Sequence, residues 1–437
     1  MGTALDAPVR YIPMLSRLIL LLLCFAALAV PAAAETVAIH AGRLISDASQ
    51  RPRGPSTITV VDGRIQSVTE GLQPAPAGAR LIDLSSRTVL PGLIDTHVHL
   101  AGDPGGDFWR EAVESDEWWT LIGVKNARIT LRAGFTTVRD LGSPQLVGFA
   151  LARGTAEGII DGPRIISSGP AISIIGGHGD VTGFRPEVVD ALSAGNTCTG
   201  PQECSAIVRR LARLGAQVIK FTATGGVLSQ QGRGLEAHFS DDEMRAIVTT
   251  AHSLGLKVAA HAHGARGVEA ASRAGVDSIE HGTFHDARSI QAMRAGNTAF
   301  VPTLMALAGV REGLGRGIYT PVVETKIRET LEHHGRAPRA ARAAGVPIVF
   351  GTDAGVFAHG RNAEEFRLLI ELVGMSPAEA IASATTGAAR LLGLENEIGR
   401  IAPGLSADII AVEGDPLQDV RRLERVSFVM ARGRVVD

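Results

Sequence analysis

Eight apolar strand-like stretches alternating with helical ones predict an α/β protein: a (β/α)8 TIM-type barrel carrying a small β-sandwich domain formed from both chain ends. Three observations predict it. The strand candidates are Leu93–His99, Thr136–Asp140, Arg164–Ser168, Val218–Phe221, Val258–His261, Ser278–His281, Phe300–Pro302 and Ile348–Asp353, with helical patterns between most of them. Short β-like segments flank that middle at both termini. Polar residues of a chemically capable kind fall at the carboxyl ends of the strands, where this fold keeps its active sites.

The first residues stand apart from the fold. Arg10 and Arg17 precede the apolar run Leu18–Val30, and Pro31-Ala32-Ala33-Ala34 has the small residues of a signal-peptidase site. The run is too short for a comfortable membrane span. Residues 1–34 are therefore expected to be a signal peptide, with Met14 as an alternative start, and the mature chain an exported periplasmic or secreted protein with no membrane contact. The whole chain carries a formal charge of −2. That balance, with no lysine-arginine run, argues against a nucleic-acid partner and leaves a homo-oligomer open.

From residue 35 to 90 the text is β-like, with Thr57–Val68 reading as a hairpin across Asp62-Gly63. The vocabulary returns in 396–437, at Ala407–Val412 and Val426–Val436. These two pieces are expected to form the β domain, leaving 91–395 to the barrel. Ser240-Asp241-Asp242-Glu243 is a capping-box helix start, and Ser376-Pro377-Ala378-Glu379 adds proline at the first helical position. Cys198 and Cys204 flank a Gly-Pro loop. In an oxidising compartment this spacing suits a local disulfide; two free thiols near a helix start is the other reading.

The chemistry concentrates in Asp95-Thr96-His97-Val98-His99. Residues i and i+2 of a strand share a face, so His97 and His99 project together. Imidazole pairs of this kind suit zinc-like ions. Lys220, His261, His281 and Asp353 each close an apolar strand candidate. Singly, each has a structural explanation; together at one end of alternating elements they point to a metal site.

This set resembles the amidohydrolase superfamily in its two-metal form. Gly176-Gly177-His178-Gly179-Asp180, Ile219–Val227, His261-Ala262-His263-Gly264, Ile279–Thr283 and Gly351–Gly355 are similar to the imidazolonepropionase-related branch. That branch includes dipeptidases cleaving before carboxy-terminal proline, arginine or lysine, and the ochratoxin-hydrolysing amidohydrolases. The resemblance implies a carboxylated Lys220 bridging two divalent ions, zinc before manganese or cobalt. One ion would be held by His97, His99 and Asp353, the other by His261 and His281. It implies Asp353 as proton shuttle and His178 as oxyanion donor.

Substrate contacts are expected from His263, from Arg361 as a carboxylate fork, and from Thr222, Thr224, Gly225 and Gly226, which follow Lys220. His333-His334, in what reads as a long polar helix, are expected at the surface. The implied reaction is hydrolysis of the amide to a carboxy-terminal amino acid in a small-molecule or dipeptide substrate, ochratoxin A to ochratoxin alpha and phenylalanine included. A mononuclear deaminase or imidazolonepropionase is the alternative enzyme, and a non-enzymatic scaffold the third reading. The first would not need Lys220, and the scaffold should have lost ligands, none of which is missing here.

Overall fold

Alternating apolar residues at the front of the chain make β1 (Thr36–Leu44), β2 (Ser56–Val61), β3 (Arg64–Glu70) and β4 (Arg80–Pro91). The computed structural model describes Gly2 and residues 35–105, 108–230 and 234–437. The expected signal peptide lies outside the described residues apart from Gly2. Among the described residues no helix is long and apolar enough to cross a membrane.

The middle of the chain contributes β5 (Leu93–Val98), β6 (Phe135–Asp140), β7 (Arg164–Ser167), β8 (Val218–Thr222), β9 (Lys257–Gly264), β10 (Ser278–Phe284) and β11 (Ala299–Val301). The far end adds β12 (Ile409–Val412), β13 (Val426–Ala431) and β14 (Arg434–Val435). The terminal strands pair into one seven-stranded sheet, in the order β14-β13-β12-β4-β1-β2-β3. A sandwich calls for two separately bonded sheets, whereas these strands from both chain ends share one ladder. Val37, Ile39, Ile58, Val89, Ile409 and Met430 pack its core. Asp62 and Gly63 both have positive φ, 49° and 76°, as a two-residue hairpin turn between right-twisted strands requires.

The middle strands form two parallel sheets, β5-β6-β7 and β11-β10-β9-β8. Every residue of β5, β6 and β8 is buried, as expected for parallel strands covered on both faces. Hydrogen bonds cross both gaps between the sheets. Gln217 N–H donates to Ser167 O at 3.0 Å, and Ile172 bridges Phe221. On the other side, Phe300 N–H donates to Pro347 O at 2.8 Å and Thr96 N–H to Phe350 O at 3.2 Å.

The expected eighth strand, Ile348–Asp353, is thus an extended segment between β11 and β5, with a single bridge from Ile348 to Phe300. Asp353, with φ of 65°, leaves extended geometry, and Gly351 packs so close to Val301 that a Cβ there would overlap it. The helix starts appear as the sequence spells them: Ser240 with Glu243, and Ser376 with Glu379, form capping boxes.

Cys198 and Cys204 are bonded, with Cα atoms 5.1 Å apart, at the start of the helix Gly200–Leu214. In protein purified from an oxidising compartment, both thiols should resist alkylation until reductant is added, and intact mass should then rise by two hydrogens. Cys198→Ser is expected to cost about 2–3 kcal/mol in denaturant unfolding, the value for closing so short a loop. Alkylation of both cysteines without reductant would refute the bond.

Candidate metal centre

His97 is fully buried at the end of β5, and His99 lies one residue beyond the strand. A ring that ligates a cation must offer a lone pair from one nitrogen, so the other nitrogen needs an acceptor or solvent. All four candidate imidazoles have that second partner. His97 Nδ1 lies 2.9 Å from the Glu280 carboxylate, and His99 Nδ1 donates to Gly142 O at 2.9 Å. His261 Nε2 donates to Gly225 O at 3.1 Å, and His281 Nδ1 meets Thr303 Oγ1 at 2.7 Å.

The open nitrogens of His97 and His99 converge on Asp353. Asp353 Oδ1 lies 3.1 Å from His99 Nε2 and 3.4 Å from His97 Nε2. Lys220 Nζ is 3.4 Å from His97 Nε2. The rings of His97 and His281 are 5.1 Å apart, and those of His281 and His261 4.6 Å. One ligand atom each from His97, His281 and Asp353 fall within 4.8 Å of one another. This donor set of oriented imidazoles and a carboxylate fits divalent transition ions.

Burial keeps three of these imidazoles neutral; at His99 burial acts the same way, but the hydrogen bond and charge of Asp353 outweigh it and raise the ring above the ordinary histidine value. Burial pulls His97 down to about 4, with Lys220 adding to the effect, and takes His261 and His281 well below the ordinary histidine range. Burial also lowers the Lys220 ammonium to about 8 against the pull of Glu280 and Asp353. A neutral lysine amine is therefore populated near neutral pH. Asp353 goes the other way: burial opposes its charge, but His97 and His99 hold its carboxyl well below the usual range.

Backbone strain aims several of these groups. His281, Thr303 and Asp353 have positive φ, at 72°, 47° and 65°, a conformation costing about 1–3 kcal/mol each for non-glycine residues. Strand alternation alone would send Glu280 and His281 to opposite faces. The left-handed turn at His281 lets Glu280 reach the His97 ring while His281 faces the same ring.

A cavity of about 640 Å³ opens over the cluster. His178 lines it from the loop after β7, with its ring 4.3 Å from that of His261. His263 lines it too, stacked on His281 at 5.0 Å with Nδ1 2.9 Å from Thr283 Oγ1.

The sequence pattern of the Amidohydrolase family matches residues 88–436. The chain belongs to the amidohydrolase family. Over 355 residues it is 33% identical to ochratoxinase of Aspergillus niger, a match covering 76% of this chain and 72% of that one. A solved Xaa-Pro dipeptidase with methionine bound in its active site superposes with a TM-score of 0.87 at 36% identity, covering 92% of this chain and 99% of that one. A prolidase complexed with N-methylphosphonate-L-proline superposes at 0.84 and 29% identity, over 92% and 99% of the two chains. The chain is thus a hydrolase of amide bonds, in a family that depends on metal.

Several expected substrate contacts in this amidohydrolase lie elsewhere. Arg361 does not line the cavity; its guanidinium is occupied by Glu364, at 2.6 Å, and by Glu312, at 2.9 Å. Thr222 is at the cavity wall, but Thr224 and Gly225 lie beneath it. Thr224 Oγ1 accepts the His263 N–H, and Gly225 O holds His261. Gly226 supports the His178 ring, which a Cβ there would overlap. His333 and His334 are not at the surface of a long helix. The helix ends at Leu331, Gly335 turns the chain with φ of 78°, and both histidines line the cavity.

The groups that the sequence reading missed lie behind the ligands. Arg139 bonds Glu280 at 2.9 Å, both fully buried. Burial opposes the Glu280 charge, yet Arg139 and the His97 hydrogen bond hold its carboxyl at about 2. Asp95 accepts from the His97 and Thr352 backbones, Thr352 Oγ1 and Asn362 Nδ2, tying β5 to the Ile348–Asp353 segment. The available signal was a charge inside an apolar strand, in Val138-Arg139-Asp140 and Ile279-Glu280-His281.

Glu280→Gln should weaken metal binding about ten- to a hundred-fold, measured by competition with a chelator. Arg139→Met leaves Glu280 charged without its cation and should cost about 3–5 kcal/mol in urea unfolding. The double variant should recover part of that loss, because no unpaired charge remains. Unchanged metal affinity in Glu280→Gln would refute its role in holding His97.

Proposed function

We propose that this amidohydrolase cleaves the amide bond to a carboxy-terminal amino acid in dipeptides or N-acyl amino acids. The observation that carries the reading is Lys220, buried with Nζ 3.4 Å from His97 Nε2 among candidate ligands. An ammonium cannot share a cation's site. A carbamate can, and the neutral Lys220 amine forms one by adding to carbon dioxide and losing a proton. On this reading Lys220, as its carbamate, would join two ligand sets for divalent ions, zinc by preference: His97, His99 and Asp353 would hold one, and His261 and His281 the other. When bound, such ions bring the pKa of a water to about 7 and polarise the scissile carbonyl.

The chain's own groups do the rest. Asp353 accepts the proton of the attacking water and returns it to the leaving amine. His178 donates to the oxygen that gains charge. With Arg361 occupied elsewhere, His263 is the residue assigned to the substrate carboxylate. The names of the relatives support an amino-acid leaving group: an Xaa-Pro dipeptidase holding methionine, a prolidase holding a proline phosphonate, and an ochratoxinase. The two parallel sheets and the Ile348–Asp353 segment are read as one (β/α)8 barrel spanning 91–395, with 35–90 and 396–437 as the β domain. Residues 1–34 are read as an export signal.

Lys220→Ala is expected to abolish activity and lose bound metal, and added short-chain carboxylic acids should restore part of the rate. Metal analysis should find about two ions per wild-type chain; one would favour a mononuclear deaminase. A panel of dipeptides, N-acyl amino acids and ochratoxin A, read by release of the carboxy-terminal residue, tests the reaction. Amidating the substrate carboxylate should lower kcat/KM about ten- to a hundred-fold, and His263→Ala should shrink that difference. Equal cleavage of free and amidated substrates would overturn the assignment.

A further inference from the structure

We propose that Lys326 is a positioning residue for His178, acting through Ser229. The inference rests on the reading of His178 as oxyanion donor. Lys326 lies in the helix Pro321–Leu331 and is only 6% exposed. Its Nζ donates to Gly226 O at 2.9 Å and to Ser229 O at 2.6 Å. Ser229 N–H in turn donates to Gly226 O at 3.3 Å. One ammonium therefore closes the turn from Gly226 to Ser229 by holding the carbonyl at each end.

That turn carries the two features that orient His178. Ser229 Oγ lies 2.6 Å from His178 Nδ1. A neutral imidazole has one proton, and a ring that donates from Nε2 must accept at Nδ1. Ser229 then donates its hydroxyl hydrogen, which fixes the tautomer the oxyanion needs. Gly226 lies against the ring itself, where a side chain would collide with it. Between them, Val227 and Leu228 line the cavity and pack with Val323 and Ile327 of the lysine's own helix. Displacing the turn would move the hydroxyl, the ring support and part of the cavity wall together.

A double-mutant cycle tests this on the fastest substrate of the amide panel. Lys326→Met should lower kcat about ten- to a hundred-fold, the scale for a misplaced catalytic group, with KM moving far less and bound metal unchanged. Lys326→Arg, which keeps donors, should restore most of the rate. In a His178→Ala background the Lys326→Met change should cost less than about twofold, since coupled positions do not add. Ser229→Ala should behave alike. Full additivity with His178→Ala, or wild-type kcat in Lys326→Met, would overturn the inference while leaving the role of His178 intact. Wild-type activity in His178→Ala would overturn both. If Lys326→Met does not fold, Lys326→Gln runs in the same cycle with the same criteria.

Discussion

Several buried imidazoles must present lone pairs to one small volume, and the rest of this structure depends on how that is met. A buried ring with an unpaired N–H would be costly, and a protonated one could not ligate. Each ring therefore has an acceptor or hydroxyl behind it: Glu280, Gly142 O, Gly225 O and Thr303. These supports come from different strands and loops. A local shift in any of them reaches the centre as a rotated ring. Glu280 carries the largest share, because it is the charged support and Arg139 keeps it charged.

The same demand explains where the backbone is strained. His281 and Asp353 leave regular strand geometry at the point where their side chains must turn inward, and Thr303 does so beside them. The strain is tolerated because the parallel strands are buried on both faces and fix the chain on either side. Asp95 bridges β5 to the segment that ends in Asp353, so two ligand-bearing stretches cannot drift apart.

Much of this was legible in the sequence. Parallel strands read as apolar runs, and a polar residue at the end of such a run has nowhere to point but the mouth of the fold. His97, Lys220, His261, His281 and Asp353 were all found that way. Loop residues gave no equivalent signal. Arg361 follows Asp353 closely, but its direction is set by Glu312, distant in sequence, and Glu364. His333 and His334 looked like a polar helix surface because the reversal at Gly335 that folds them over the cavity has no period to read. Glu280 and Arg139 were visible as charges in apolar strands, but their pairing is tertiary.

The link between β4 and β12 bears on how the protein matures. β4 runs into β5 across Gly92, whose N–H donates to Asp408 O, and Ile409 pairs with Pro91. The strand that carries His97 is thus anchored by residues that follow every candidate ligand in the sequence. A nascent chain holding every histidine of the cluster still lacks that anchor. A truncated product that retains all six candidate ligands but stops before Asp408 would lack the support that sets the first of them.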